Sequence, residues 1–211
     1  MLKRLAGLGR ALDFLRRSAV RDPMAPVVRA EGMVSVDEAR LLYELAKEVA
    51  AGCIVEVGSY RGRSTIALAR GSLDGHAVPV FAFDPHEEFI GVLGGRFGPE
   101  DRAWFFRNML RSKCHRIVRL VELPSAIVAA GWRRPISLLW IDGDHSYEGV
   151  RSDVDCWLPH LAPTATMAFD DATDQRIGPC QVVGELLASG QFTESHAVGK
   201  VRVLRRVATV K

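Results

Sequence analysis

A small set of residues has the types and spacing to do chemistry. Asp142, Asp144 and His145 follow directly on the apolar run Leu138-Leu139-Trp140-Ile141, and Asp170 and Asp171 end a second apolar run at 165–169. Carboxylates gathered at neighbouring buried strand ends repel one another unless a cation joins them. A hard divalent ion with oxygen ligands resolves the conflict. Mg²⁺ suits it, because it accepts a few carboxylates and keeps positions for substrate oxygens. Asp142, Asp170 and Asp171 are therefore the metal candidates. His and Cys do not cluster as a zinc site requires. His145 stands three positions past Asp142, and its imidazole could take a proton from a hydroxyl that a metal has made more acidic. Asp144 could cap the next helix, or orient His145 or a bound amine. A plainer reading, in which Asp170 and Asp171 only open a loop, accounts for one of the two acids.

A second constellation is VEVGSYRGRST, residues 55–65. A strand runs into a glycine turn and then a helix. A dinucleotide fingerprint would need glycine at 58, 60 and 63, and two of these are Tyr60 and Arg63. A phosphate-binding P-loop needs Lys after the glycine, where Arg63 stands. Glu56 would also repel phosphate; it suits an ammonium or a sulfonium. Asp84 ends the next apolar run, where an acid accepts hydrogen bonds from both ribose hydroxyls. A carboxylate for a cationic amine and another for a ribose describe S-adenosylmethionine. The cofactor candidates are Glu56, Gly58, Ser59, Gly62, Ser64, Asp84, Ser125 and Asp142.

These residues need a scaffold that brings strand ends together. Apolar runs at 54–57, 80–83, 117–121, 136–141 and 165–169 are continuous, as strands buried on both faces are. They alternate with helical segments near 64–71, 100–112, 125–132, 146–158 and 179–189. The fold class is α/β: a doubly wound, mostly parallel sheet, closed by an antiparallel hairpin of 192–198 and 201–207 around Gly199-Lys200. In such sheets ligands bind beyond the carboxyl ends of the strands. Each of the five runs is followed by, or contains near its end, a carboxylate, which is more than helix capping requires. Ser35-Val36-Asp37-Glu38 fits a capping box for a further helix to about Ala50, stopped by Gly52.

Composition sets the outer limits. The chain has 211 residues, 48% of them apolar, enough for one core, and no apolar run reaches the length of a membrane span. Residues 1–21 carry a net charge of +5 against +3 for the whole chain, so the remainder carries −2. No basic patch with interleaved aromatics suggests nucleic acid. Leu2, Leu5, Leu8, Leu12 and Leu15 predict a basic amphipathic helix. It would pack on the domain or on a second subunit, lie on a membrane surface, or cover a site. Its interrupting basic residues do not make a secretory signal. The four cysteines show no CxxC and read as reduced thiols of a cytoplasmic protein. The predicted organisation is a helix and linker over 1–32 and one domain over 33–211. Residues 85–114 form an insertion with Gly91, Gly94, Gly95 and Gly98, either a surface excursion or a movable cover.

The segments IVEVGSYRGRSTIALA, FAFDP, WIDGDHSYEGVRSDVDCWLPHL and MAFDD together resemble the class I S-adenosylmethionine-dependent O-methyltransferases that use Mg²⁺. Within that family the chain is most similar to the macrocin and mycinamicin sugar O-methyltransferase group, and more distantly to catechol O-methyltransferase. The resemblance covers roughly residues 33–190. It implies a seven-stranded Rossmann-like sheet, Mg²⁺ on Asp142, Asp170 and Asp171, adenine contacts near Ser125, and His145 as the base. A His at that position implies a sugar-like vicinal diol as acceptor, whether small molecule or glycan. Rival readings are a non-catalytic S-adenosylmethionine-binding scaffold, a catechol-type enzyme, and a metal-independent methyltransferase.

Overall fold

The computed structural model describes residues 22–207; the basic amphipathic helix expected near the start of the chain lies outside them. The element order is α1 (Ala25–Arg29), α2 (Val36–Glu48), β1 (Cys53–Val57), α3 (Arg63–Asp74), β2 (Val80–Phe83), β3 (Phe89–Ile90), β4 (Arg96–Phe97), α4 (Pro99–Ser112), β5 (Val118–Val121), α5 (Ser125–Ala129), β6 (Ile136–Ile141), α6 (Tyr147–Trp157), β7 (Leu161–Phe169), α7 (Gly178–Ala188), β8 (Phe192–Val198) and β9 (Val201–Arg206). Seven strands form one sheet in the order β5-β2-β1-β6-β7-β9-β8. The first five are parallel; β9 joins β7 antiparallel and β8 joins β9 antiparallel. This is the doubly wound, mostly parallel sheet with a closing antiparallel hairpin that the sequence predicts.

Alternation along β6 divides the core. Leu138 and Trp140 face α2 and α3, where Leu42, Ile66 and Leu68 pack. Leu139 and Ile141 face α6 and α7, against Val150, Val154, Trp157 and Val183. Each of these side chains is fully or almost fully buried, so each contributes about 1.5–3 kcal/mol of apolar transfer. The Ser35 capping box forms as expected: the Ser35 hydroxyl accepts from Glu38 N–H and the Glu38 carboxylate accepts from Ser35 N–H. Helix α2 lies tight on α3 because Gly71 has no side chain. A Cβ there would stand 2.0 Å from the Tyr43 carbonyl oxygen.

Two segments are more ordered than the sequence suggested. The stretch expected to act as a linker carries α1, and Met24 just before it and Val27 within it sit in the core. The insertion after β2 contains the β3–β4 hairpin, in which Phe89 stacks on Phe97. The four cysteines are free thiols. Among the described residues no helix is long and apolar enough to cross a membrane.

Candidate active site

The strand order reverses between β1 and β6, and the carboxyl ends of these strands border the crevice where doubly wound sheets bind ligands. A cavity of about 530 Å³ opens there, within the range of small-molecule sites. Gly58 and Ser59 line it after β1, Asp84 after β2, Asp142 to His145 after β6, and Asp170 and Asp171 after β7. The β3–β4 hairpin forms its outer wall with Phe89, Val92, Leu93 and Phe97.

The first loop is held by backbone contact. Gly58 has φ +81°, and a Cβ on it would meet the Asp142 carbonyl oxygen at 2.0 Å. The loops after β1 and β6 therefore touch main chain to main chain. Asp84 fixes the rest of the turn. Its Oδ2 accepts from the N–H groups of Ser59 (3.0 Å) and Tyr60 (2.8 Å), and its Oδ1 accepts from His86 N–H at 2.9 Å. His86 Nε2 donates to the Tyr60 carbonyl at 2.9 Å, which closes the turn from the other side. Tyr60, His86 and Asp171 all have positive φ without being glycine, and all three line the cavity. Strained backbone of this kind gathers where surrounding structure holds a functional arrangement.

Not every expected cofactor residue reaches the cavity. Glu56 is fully buried beneath the loop. Its two oxygens accept from the Ser64 hydroxyl at 2.6 Å and the Thr65 hydroxyl at 2.5 Å. Burial pushes its carboxyl up to about 7, although both hydroxyls work against the shift. Glu56 thus ties β1 to the start of α3 and does not face a ligand. Gly62 caps α3 against Phe105 and Met109, also away from the cavity. Ser64 and Ser125 do line it. Beside Ser125 lies Asp153 of α6, which the sequence reading passed over; burial pushes it up to about 6 while the Ser125 hydroxyl pulls the other way. Its signal was present, since Asp153 shares one helix face with the buried Val150, Val154 and Trp157.

The acidic cluster assembles around His145. Donor atoms of Asp142, His145 and Asp170 lie within 4.8 Å of one another, a separation that one ion can span. Asp170 is 1% exposed. Its Oδ1 and His145 Nε2 are buried without a hydrogen-bond partner among the described residues. A buried, orphaned carboxylate oxygen beside a second carboxylate fits a divalent cation with oxygen ligands. Asp171 stands on the other side of the imidazole, its Oδ2 3.2 Å from His145 Nδ1, while His145 Nε2 is 3.5 Å from Asp142 Oδ1. Burial disfavours charge on the ring, but Asp142 and Asp171 outweigh it and hold His145 up to about 10. Burial, and then the Asp170 carboxylate, push Asp142 well above the usual range. Asp144 accepts from Ser146 N–H and from the Ser146 hydroxyl, whose oxygen in turn caps Gly149 N–H. Its role is to start α6.

One participant had no signal in the sequence. Lys200, in the turn between β8 and β9, brings its ammonium to 2.6 Å from Asp170 Oδ2 and 3.2 Å from Asp171 Oδ1. A turn lysine is ordinarily solvated, and only the antiparallel docking of β9 on β7 carries it here.

Known proteins share this architecture. The O-methyltransferase TomG from Streptomyces achromogenes, involved in tomaymycin synthesis and solved with SAM, superposes with a TM-score of 0.63 at 17% identity, over 94% of this chain and 96% of that one. CalS11, a TDP-rhamnose 3'-O-methyltransferase of calicheamicin biosynthesis, gives 0.63 at 18% identity, over 93% and 92%. At these identities the likeness is one of fold. The uncharacterized protein y4gI of Sinorhizobium fredii is 28% identical over 159 residues, 69% of this chain but 16% of that protein, so the chain spans about a sixth of that relative's length. The model of the methyltransferase domain family matches residues 55–172, from β1 through the Asp170-Asp171 pair. More than half of the chain, including most of the residues that build the cavity, is thereby accounted for, and the chain belongs to the methyltransferase domain family.

Proposed function

We propose that the chain is an S-adenosylmethionine-dependent O-methyltransferase that methylates one hydroxyl of a vicinal diol, on a sugar or glycosylated metabolite, with Mg²⁺ on Asp142, Asp170 and Asp171. The observation that carries this reading is His145, held between Asp142 and Asp171 at the wall of the cavity, beside the buried Asp170. The fold relative CalS11, whose acceptor is TDP-rhamnose, supports a sugar acceptor.

The residues divide the work. Gly58, Ser59, Asp84, Ser125 and Asp153, which all line the cavity, are assigned to the methyl donor in this reading. Asp84 still has lone pairs for a ribose hydroxyl beyond the three N–H groups it accepts. Asp142, Asp170 and Asp171 would hold the divalent cation, which would make a substrate hydroxyl more acidic and offset the carboxylate field that keeps His145 protonated. Asp171 Oδ2, 3.2 Å from His145 Nδ1, favours the proton on Nδ1 and leaves Nε2 as the basic nitrogen. His145 Nε2 takes the hydroxyl proton, and the oxygen attacks the sulfonium methyl in line. The new C–O bond forms as the C–S bond breaks, with its electron pair going to sulfur. The products are a methyl ether, S-adenosylhomocysteine and an imidazolium. Holding both reactants in one cavity supplies much of the rate.

The test is His145→Ala. Turnover on a diol sugar should fall roughly 10²–10⁴-fold, while S-adenosylmethionine affinity by calorimetry stays within about twofold, because His145 is assigned to the acceptor and not to the methyl donor. Excess EDTA should stop turnover as well. Full activity with the chelator present would remove the metal from the mechanism and leave the base in place.

A further inference from the structure

The ammonium of Lys200 occupies the carboxylates that the proposed metal would use. Three contacts hold it in place. Lys200 N–H donates to Glu38 Oε1 at 3.0 Å, its carbonyl accepts from Ala172 N–H at 2.9 Å, and its Nζ lies 2.6 Å from Asp170 Oδ2. Glu38 is itself locked by the capping box at the start of α2. The turn is thus tied directly behind the Asp170-Asp171 pair, and the side chain of Lys200 is only 27% exposed.

The distribution of oxygens follows from this placement. Asp170 gives Oδ2 to Lys200 and leaves Oδ1 unpartnered. Asp171 gives Oδ1 to Lys200 and Oδ2 to His145. Asp171 stands outside the Asp142–His145–Asp170 cluster. An ammonium and a hard dication cannot share the same carboxylate oxygens at contact distance, since like charges a few ångströms apart repel strongly in a partly desolvated site.

We propose that Lys200 is a resident cation that competes with a divalent ion for Asp170 and Asp171, so that the third carboxylate joins the metal set only when the ammonium withdraws. The inference rests on the metal assignment of the preceding section and adds to it a built-in competitor. Lys200 then neutralises the cluster in the metal-free protein and weakens its hold on metal, which keeps loading reversible.

The experiment is a Mn²⁺ titration of the full chain without substrate, read by the loss of the free-ion signal in electron paramagnetic resonance. Lys200→Met keeps the aliphatic stem and the backbone bond to Glu38 but removes the charge. It should bind Mn²⁺ roughly tenfold or more tightly than the wild type. Lys200→Arg keeps a cation in place and should bind no more tightly than the wild type. Unchanged or weaker binding by Lys200→Met, with the wild type binding normally, overturns the competition and leaves the metal assignment standing. No binding by either protein overturns both. If Lys200→Met folds poorly, refolding it with Mn²⁺ should restore the native circular dichroism spectrum. Failure of that rescue, while Lys200→Arg folds without metal, also overturns competition, because the dication then cannot take the place of the ammonium.

Discussion

Glu56 shows how a single carboxyl can belong to the site's foundation and not to its surface. It is fully buried, and its pKa rises from 4.5 to about 7. The folded chain therefore holds this proton more tightly than the unfolded chain does. Its contribution to stability is fully present below pH 4.5, is lost as pH rises toward 7, and is flat above that. The loss amounts to roughly 3 kcal/mol at 1.36 kcal/mol per unit. Glu56→Gln, which cannot ionise, should flatten that part of the curve, so that its stability relative to the wild type grows between pH 5 and 8 in urea denaturation. An unchanged pH slope would show that Glu56 ionises freely. The residue types at 142, 145, 170 and 171 were legible in the sequence because acids and a histidine at the ends of apolar runs are costly without a purpose. Glu56 was legible as important but not in its direction. A strand residue next to a turn can face either side of the loop, and here two hydroxyls at 64 and 65 draw it inward.

Elements, more than residues, decide whether the two site loops meet. The turn after β1 and the turn after β6 touch through backbone at Gly58 and Asp142. Gly58→Ala adds a Cβ against an immovable carbonyl at a φ that suits only glycine, and should destabilise the fold by roughly 2–4 kcal/mol. It should also weaken S-adenosylhomocysteine binding in calorimetry. Gly71→Ala is the control: it disturbs the α2–α3 contact, far from the cavity, and should lower stability while leaving affinity within about twofold in whatever fraction is folded. Equal losses of affinity in both variants would mean that the loop contact has no special part. The strands of the parallel sheet could be read from continuous apolar runs, and β2 and β6 fall where those runs lie. The short hairpin of β3 and β4 could not. Two-residue strands have no periodicity to detect, and Phe89 meets Phe97 only because the chain between them turns.

The whole molecule places the cavity, the carboxylates and the counter-cation at one end of a single sheet. Binding at that end should therefore stabilise the fold as a unit. S-adenosylhomocysteine at about a hundred times its Kd adds roughly 2.7 kcal/mol and should raise Tm by roughly 5–10 °C in a calorimetric scan. A Tm unmoved at saturating ligand would contradict the cofactor reading outright. The doubly wound parallel sheet was legible because alternating strands and helices allow few right-handed arrangements. The assembly of the acidic cluster was legible only in part, because its ammonium comes from a hairpin that no local signal aims at the site. The placement of Lys200 also bears on biosynthesis. A ribosome delivers Asp142, Asp170 and Asp171 before it delivers Lys200, 30 positions after Asp170. Domains fold from the N-terminal side as they emerge. A nascent chain from which β7 has emerged and β8 and β9 have not thus exposes these carboxylates without their ammonium and without the final two strands. That interval is when a dication has uncontested access to the carboxylates.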